Sequence, residues 1–337
     1  MSNRLIALIL AALAAACGGG GGDLTAPGGP GPTPPPSGPS TPPPDDAQPP
    51  TPSEPPAPAP VLEGRAVFAV DLENRLMLFG TGSPDTLARL ITITGLGAGH
   101  RIVAIDFRGD DGPHGLYGVG TDSRLYAIDT LSAVATPVGE PFYPEISGTH
   151  FGITIDGEQN RVRIHGVESD QNFVLSASTG QLVSVDAPLA FSGFDFNAGQ
   201  NPGVAGTAIR PSDRKLFGIE ANQDVLVRMP EPALGTLATV GALGTTTTLC
   251  VGFDIAEDGA AFAALTQADG TRLHTIDLAT GAATLVGAIA SDSPIQGIAI
   301  VPVPEPPQLK VTRAISTRRV SFRPAPAPLS CFDSPAE

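Results

Sequence analysis

The chain has 337 residues, of which 41% are hydrophobic, 16% are charged and none is Trp, and its formal net charge is −15. A sizeable core is therefore possible, while Gly (40) and Pro (36) far exceed average usage and mark turns and unfolded tracts. Between residues 61 and 303, 27 acidic side chains face 13 basic ones, which excludes the basic surface that nucleic-acid binding demands.

Residues 1–16 read as a secretory signal. Arg4 supplies a short positive region, and residues 5–16 form an apolar run of twelve. A bilayer span needs about 20 helical residues, so this run is too short to cross. It ends Leu13-Ala-Ala-Ala-Cys17-Gly18, which resembles a bacterial lipoprotein signal, with Cys17 as the lipid attachment site. The alternative is an ordinary signal followed by a chance cysteine. Gly18 after the cysteine gives no reason for inner-membrane retention, so an exported cell-envelope lipoprotein at the outer membrane or cell surface is expected.

Residues 17–60 then form a tether. Gly18 to Gly22 is polyglycine, and 27–60 is dense in Pro. Polyproline II at about 3.1 Å per residue would let it hold a domain ~100 Å from the membrane. With almost nothing apolar to bury, it is not expected to fold.

From 61 to 303 the pattern changes to short β runs between Gly, Asp, Asn and Pro turns, with no helical periodicity. One phrase recurs: Val103-Ala-Ile-Asp-Phe107, Phe151-Gly-Ile-Thr-Ile155, Val251-Gly-Phe-Asp-Ile255 and Gln296-Gly-Ile-Ala-Ile300, with Gly206-Thr-Ala-Ile-Arg210 as a worn copy. Anchored on Val103, Phe151, Gly206 and Val251, the repeats are 48, 55 and 45 residues long, close to one propeller blade. The clearest unit, 251–287, holds four strands broken by Asp258-Gly259, Asp269-Gly270 and Thr280-Gly281.

Residues 66–95 make a blade lacking its first strand, and 295–301 make a first strand lacking the rest. Joining them closes a ring without an open sheet edge. The expected fold is all-β: a five-bladed β-propeller of four-stranded antiparallel blades, closed by a C-terminal strand that joins the first blade. An open or differently counted β array is the alternative. The Pro-rich, basic segment 304–337, with Lys310, Arg313, Arg318, Arg319 and Arg323, is expected to be a disordered tail. Contact with an anionic surface polymer is one reading of its charge.

These residues also carry a resemblance. Arg101-Ile-Val-Ala-Ile-Asp-Phe-Arg108, Leu116-Tyr-Gly-Val-Gly120, Arg124-Leu-Tyr-Ala-Ile-Asp129 and Ser147-Gly-Thr-His-Phe-Gly-Ile153 resemble a bacterial exported family known as domain of unknown function 4394. So do Asn160-Arg-Val-Arg163, Gln171-Asn172, Asn197-Ala-Gly-Gln-Asn-Pro202 and Val240-Gly-Ala-Leu-Gly244. The match spans about residues 66–301. It implies export and a β-propeller-like fold, and it implies no activity. The chain departs from the family where the usual Asn-Pro-x-Thr-Gly turn reads Ala177-Ser-Thr-Gly180.

Candidate chemistry is sparse. Asp106 and Asp254 recur in first strands, and Asp129 and Asp277 in third strands. They could line a channel and bind metal, but strand-end aspartates more often bond turn amides. Residues 192–202 form the longest polar interruption, where Asp195, Asn197 and Asn201 could offer oxygen ligands to calcium. No alternating Asp/Asn with a closing Glu is present, so an ordered connection held by Asx turns competes with that reading. No other cofactor is expected.

His100, His114, His150, His165 and His274 lack metal-ligand spacing, and His165 and His274 are expected to pack within strands. Cys250 opens a strand and reads as a small apolar residue. Cys331 lies in the tail, and a disulfide between the two is not expected. No nucleophile elbow, phosphate loop or zinc cysteine pair occurs, so no catalytic residue is assigned.

The reading is a monomeric, surface-displayed, lipid-anchored binding or scaffolding module that contacts the membrane through its anchor. Its ligand and protein partners are undefined, and nucleic acid is not among them. A metal-assisted propeller hydrolase or lactonase, which would need acidic or imidazole side chains converging at one channel mouth, is the alternative; a purely structural envelope protein is the third.

Overall fold

Turn chemistry decides where each strand stops. In the most regular unit, β17 (Val251–Ile255), β18 (Ala261–Gln267), β19 (Gly270–Ile276) and β20 (Ala283–Ala288) are joined by hairpins. These hairpins contain Gly259, Gly270 and Gly281, with φ of 87°, 123° and 84°. Such backbone is cheap only without a Cβ. In other hairpins Asn74, Asn160, Asp170 and Asp224 adopt positive φ, the side chains that best tolerate it.

This computed structural model describes residues 62–109 and 115–302. The signal, Cys17, the tether, His114, the tail and Cys331 lie outside the described residues.

Blade 1 comprises β1 (Ala66–Asp71), β2 (Arg75–Gly80) and β3 (Ser83–Thr92), and blade 2 comprises β4 (Ile102–Phe107), β5 (Leu116–Gly120), β6 (Arg124–Ile128) and β7 (Ala135–Val138). Blade 3 comprises β8 (Phe151–Asp156), β9 (Arg161–Gly166), β10 (Asn172–Ser176) and β11 (Leu182–Val185). Blade 4 comprises β13 (Val204–Arg210), β14 (Lys215–Glu220), β15 (Val225–Glu231) and β16 (Thr236–Ala242), and β17 to β20 make blade 5. The last strand, β21 (Ile295–Ile300), returns to blade 1 and pairs antiparallel with β1, Val67 opposite Ile300 and Val70 opposite Gly297. The expected closure is therefore present.

The first strands pack in a ring, β21 on β4, β4 on β8, β8 on β13, β13 on β17 and β17 on β21. The protein is a five-bladed propeller. Blade 4 corrects the expectation of four antiparallel strands throughout. The connection from blade 3 lays β12 (Ala190–Phe191) parallel to β16. Ala190 N donates to Gly235 O at 2.9 Å and Ser192 N to Leu237 O at 2.9 Å, covering an otherwise open edge.

Among the described residues, four apolar clusters lie between blades and a fifth covers blade 4. Phe68 and Leu76 meet Ile105 and Tyr126 between blades 1 and 2, and Leu125 meets Phe151 and Phe173 between blades 2 and 3. Phe191, Leu216 and Leu237 cover the face of blade 4, Phe217 meets Phe253 between blades 4 and 5, and Phe262 meets Met77 and Phe79 to close the ring.

The recurring phrase owes its form to the axis. Gly152, Gly252 and Gly297 stand at one level, and Gly206 joins them once the fourth copy is read as Ala205-Gly206-Thr207-Ala208-Ile209. Ladder registers support this shift: Gly152 faces His165, Gly206 faces Ile219 and Gly252 faces Ala264. A Cβ on Gly252 would lie 2.6 Å from Ile298 N, and one on Gly206 2.8 Å from Phe253 Cβ. On Gly152 it would lie 3.0 Å from Thr207 Oγ1, and on Gly297 3.2 Å from Ile105 N. Each obstacle belongs to the next blade. The glycines are there because adjacent first strands almost touch.

Candidate functional site

Side chains two positions apart on a strand share a face. Two positions past the glycine level, the ring reads Asp106, Thr154, Ala208, Asp254 and Ala299; two before it, Ile102, His150, Val204, Cys250 and Ile295. The narrow waist thus separates two mouths, and each mouth carries polar side chains from two or three blades only.

At the strand-exit mouth, Asp106 accepts from Phe107 N at 2.7 Å and from Ile155 N at 2.6 Å. Asp254 accepts from Ile255 N at 2.7 Å and from Ile300 N at 2.6 Å. In both cases the second donor lies on the next blade, so each carboxyl ties together two first strands whose facing edges share no ladder. Asp129 and Asp277 follow the expected turn pattern: Asp129 accepts from Leu131 N and Ser132 N, and Asp277 from Ala279 N. Asp106 and Asp254 differ because the axis offers them unpaired amides nearer than any turn.

Burial, and after it the charge of Asp254, pushes Asp106 well above the usual carboxylate range. Burial lifts Asp254 to about 6. The two form a pair of weak acids in one water-poor site.

Above them opens a recess of about 570 Å³, lined by Phe107, Ile155, Ile209, Ile255 and Ile300, one from each blade. Its rim is charged. Arg65 pairs with Asp258, and Arg214 pairs with Asp156 and, at 2.7 Å, with Glu158. Ser212 and Glu257 complete one side. Among the described residues no set of three or more His, Cys, Asp or Glu is placed to hold a metal ion, and the oxygens of Asp106 and Asp254 already accept amides.

The loop 192–202 is pinned to Thr239 of β16. Asp195 accepts from Asn197 N at 2.9 Å, from Thr239 N at 2.6 Å and from Thr239 Oγ1 at 2.7 Å. Burial would raise its pKa, but these three donors outweigh that and lower it. Asn197 is buried and donates through Nδ2 to Thr239 Oγ1 at 3.0 Å. Asn201 is exposed, and its backbone oxygen accepts from Asn222. The structure therefore brings Asp195 and Asn197 together on Thr239 and leaves Asn201 apart. The same pinning leaves Phe194 and Phe196 fully exposed on either side of Asp195.

His165 and His274 pack inside strands, as expected. His165 has no exposed surface and no partner on either ring nitrogen, and burial holds its pKa down at about 3. His150 was given no role by its spacing, yet it lies against both Cys250 and Glu168. The available signal was positional: His150 and Cys250 precede the recurring phrase by the same step, before Phe151-Gly152 and Val251-Gly252.

The chain belongs to the family described as domain of unknown function (DUF4394), which matches residues 75–299. No curated protein matches it. Among solved structures it is similar to Kuenenia stuttgartiensis hydrazine synthase, with 13% identity and a TM-score of 0.36, covering 55% of this chain and 49% of that one. It is similar to a protein of unknown function from Bacteroides thetaiotaomicron, with 14% identity, a TM-score of 0.46 and coverage of 72% and 66%. A chain of a nidogen/laminin complex shows 12% identity, a TM-score of 0.46 and coverage of 71% and 98%. The chain thus spans about half the length of the hydrazine synthase chain.

Proposed function

We propose that this chain is an exported binding module, held at the cell envelope by a lipid on Cys17, which takes a small ligand in the strand-exit recess. The single observation behind the binding reading is that recess. All five blades contribute apolar walls to it, ion pairs rim it, and its volume of about 570 Å³ falls in the range of small-molecule sites. A suitable ligand has an apolar face for Ile155, Ile255 and Ile300 and polar groups for the rim. The anchor reading rests on Leu13-Ala-Ala-Ala-Cys17 and the Gly/Pro-rich segment behind it; several acyl chains hold a protein stably where one does not.

Thermal unfolding with panels of amines, sugars and amino acids tests the recess. A ligand at a hundredfold excess over Kd stabilises the folded state by about 2.7 kcal/mol. Ser212→Trp, at the exposed rim, should fill the opening and abolish any such rise. A rise that survives Ser212→Trp places the ligand elsewhere, and no rise from any panel refutes the reading. Separately, Cys17→Ser should release the protein from membranes; a variant that fractionates with membranes as the wild type does refutes the anchor.

A further inference from the structure

The opposite mouth holds a different constellation. Cys250 immediately precedes β17 on blade 5 and His150 immediately precedes β8 on blade 3, so the ring carries them toward each other across the axis. Cys250 Sγ lies 3.6 Å from His150 Nε2, and His150 Nδ1 lies 2.8 Å from Glu168 Oε1. Thr149 Oγ1 donates to the same Glu168 oxygen at 2.6 Å, and Thr149 N and His150 N also point to Glu168 Oε2, at 3.2 and 3.3 Å. Cys250 is a free thiol.

These contacts assign the protons. Burial opposes the charge on Glu168, but the donors from Thr149 and His150 outweigh it and hold its pKa at about 2. An ionised Glu168 can only accept, so Nδ1 of a neutral His150 carries the hydrogen. Nε2 is then a bare lone pair facing the thiol. A nucleophile, a base within reach and a third group fixing the base is the arrangement that activates weak nucleophiles.

We propose that Cys250, His150 and Glu168 form a nucleophilic thiol centre at the strand-entry mouth, acting on small activated acyl compounds such as esters and thioesters. Sγ attacks the carbonyl carbon while its proton passes to His150 Nε2. Collapse of the adduct expels the alkoxide or thiolate leaving group, which takes that proton, and an acyl thioester remains on Cys250. Water then attacks the thioester, His150 receives its proton, and that proton returns to Sγ as the acid departs. Glu168 is a positioning residue: it holds the imidazole and favours its charged form.

Two features shape this chemistry. Burial pushes the Cys250 thiol up, against a hydrogen bond with Thr248 and the positive charge of Arg101. The resting thiol is therefore protonated, and base assistance is needed at the moment of attack. Arg101 precedes β4 on blade 2, and its Nε is buried with no partner. Its positive charge favours negative charge at Cys250. Cys250 is only 8% exposed, whereas the His150 and Glu168 side chains are 21% and 36% exposed. A small acyl group therefore suits this site better than a bulky one.

The full chain treated with p-nitrophenyl acetate tests this. Peptide mass spectrometry should find acetyl on Cys250 ahead of Cys331, with an initial burst of p-nitrophenol. Arg101 and Glu168 are the charged groups facing the pair, and the acylation rate should rise with pH in the neutral range, short of the alkaline range of an unassisted thiol. His150→Gln should slow acylation at pH 7 by about a hundredfold, the lower range of general-base effects. Glu168→Gln should move the pH limb downward, a displacement that a merely structural role would not produce. Wild-type melting curves for both variants show that they are folded; if either is not, the pH limb of the wild type decides alone. Acylation of Cys250 no faster than that of Cys331, or rising only in the alkaline range of an unassisted thiol, overturns the proposal.

Discussion

Gly252→Ala probes the axis directly. The added methyl carbon would stand 2.6 Å from Ile298 N, and 2.8 Å from both Gly297 C and Ile298 Cγ2. Two of those three atoms are backbone in the neighbouring blade, so no rotamer change relieves the contact. Relief requires blades 5 and 1 to separate by several tenths of an ångström, at the one seam that the returning strand β21 must close. Overpacking of this kind costs about 1–3 kcal/mol. For a domain of this size each kcal/mol lowers the melting temperature by about 2–4 °C, so a fall of ~2–12 °C is expected. Gly193→Ala is the control: nothing lies within 4 Å of its added carbon, and the change should be neutral or stabilise by up to about 1 kcal/mol through the unfolded chain. Thermal scans of the two variants beside the wild type make the measurement. Equal melting of Gly252→Ala and the wild type would mean that the first strands are not in near contact, and the account of the recurring glycine would be wrong.

Deleting 294–337 removes β21 and its buried Ile295, Ile298 and Ile300, exposing the edge of β1; aggregation on expression is expected, whereas deleting 305–337 should leave melting unchanged. Similar behaviour of the two truncations would refute closure by this strand. Asp195→Ala strands three donors and should cost about 1–3 kcal/mol in urea unfolding. Because those donors already occupy the carboxylate, calcium and a chelator should give the same wild-type melting curve; a calcium-dependent rise that Asp195→Ala abolishes would restore the metal reading. Asp254 has a folded pKa of about 6 against 3.8 unfolded. The folded state therefore binds the extra proton, and this contribution is present at low pH and lost as pH rises from about 4 through 6. Its size is bounded at about 3 kcal/mol by the conversion of 1.36 kcal/mol per pKa unit. Asp254→Asn should flatten that slope in urea titrations; an unchanged slope rules the carboxyl out as its source.

The ring was legible because blade structure is local. Period-two alternation, turn glycines and a repeat near 50 residues define each sheet, and an incomplete first blade points to its missing strand at the far end. β12 was not legible, since two residues carry no periodicity and its pairing with β16 depends on Phe191 finding Leu237. Asp195 was visible as an oxygen donor, but only the structure shows Thr239, 44 residues on, occupying it. The same limit applies to Asp106 and Asp254: recurrence marked them, while their partners on the next blade are a property of the closed ring. His150 and Cys250 lie 100 residues apart on blades that are not neighbours, so no sequence window contains both.

That geometry also confines where function can lie. At a waist built from Gly152, Gly206, Gly252 and Gly297, with Ala104 in the remaining blade, adjacent first strands leave no room for a Cβ on the glycines. Side chains of any reach must sit above or below it, and the repeat puts the polar ones two residues away on either side. Asp106 and Asp254 thereby become a sealed floor beneath the recess, their oxygens turned to amides of the next blade. Cys250 and His150, at the other mouth, bond no ladder amide through their side chains and remain available to a ligand. The tight packing that stabilises the ring is thus also what separates the apolar recess from the Cys250–His150 pair.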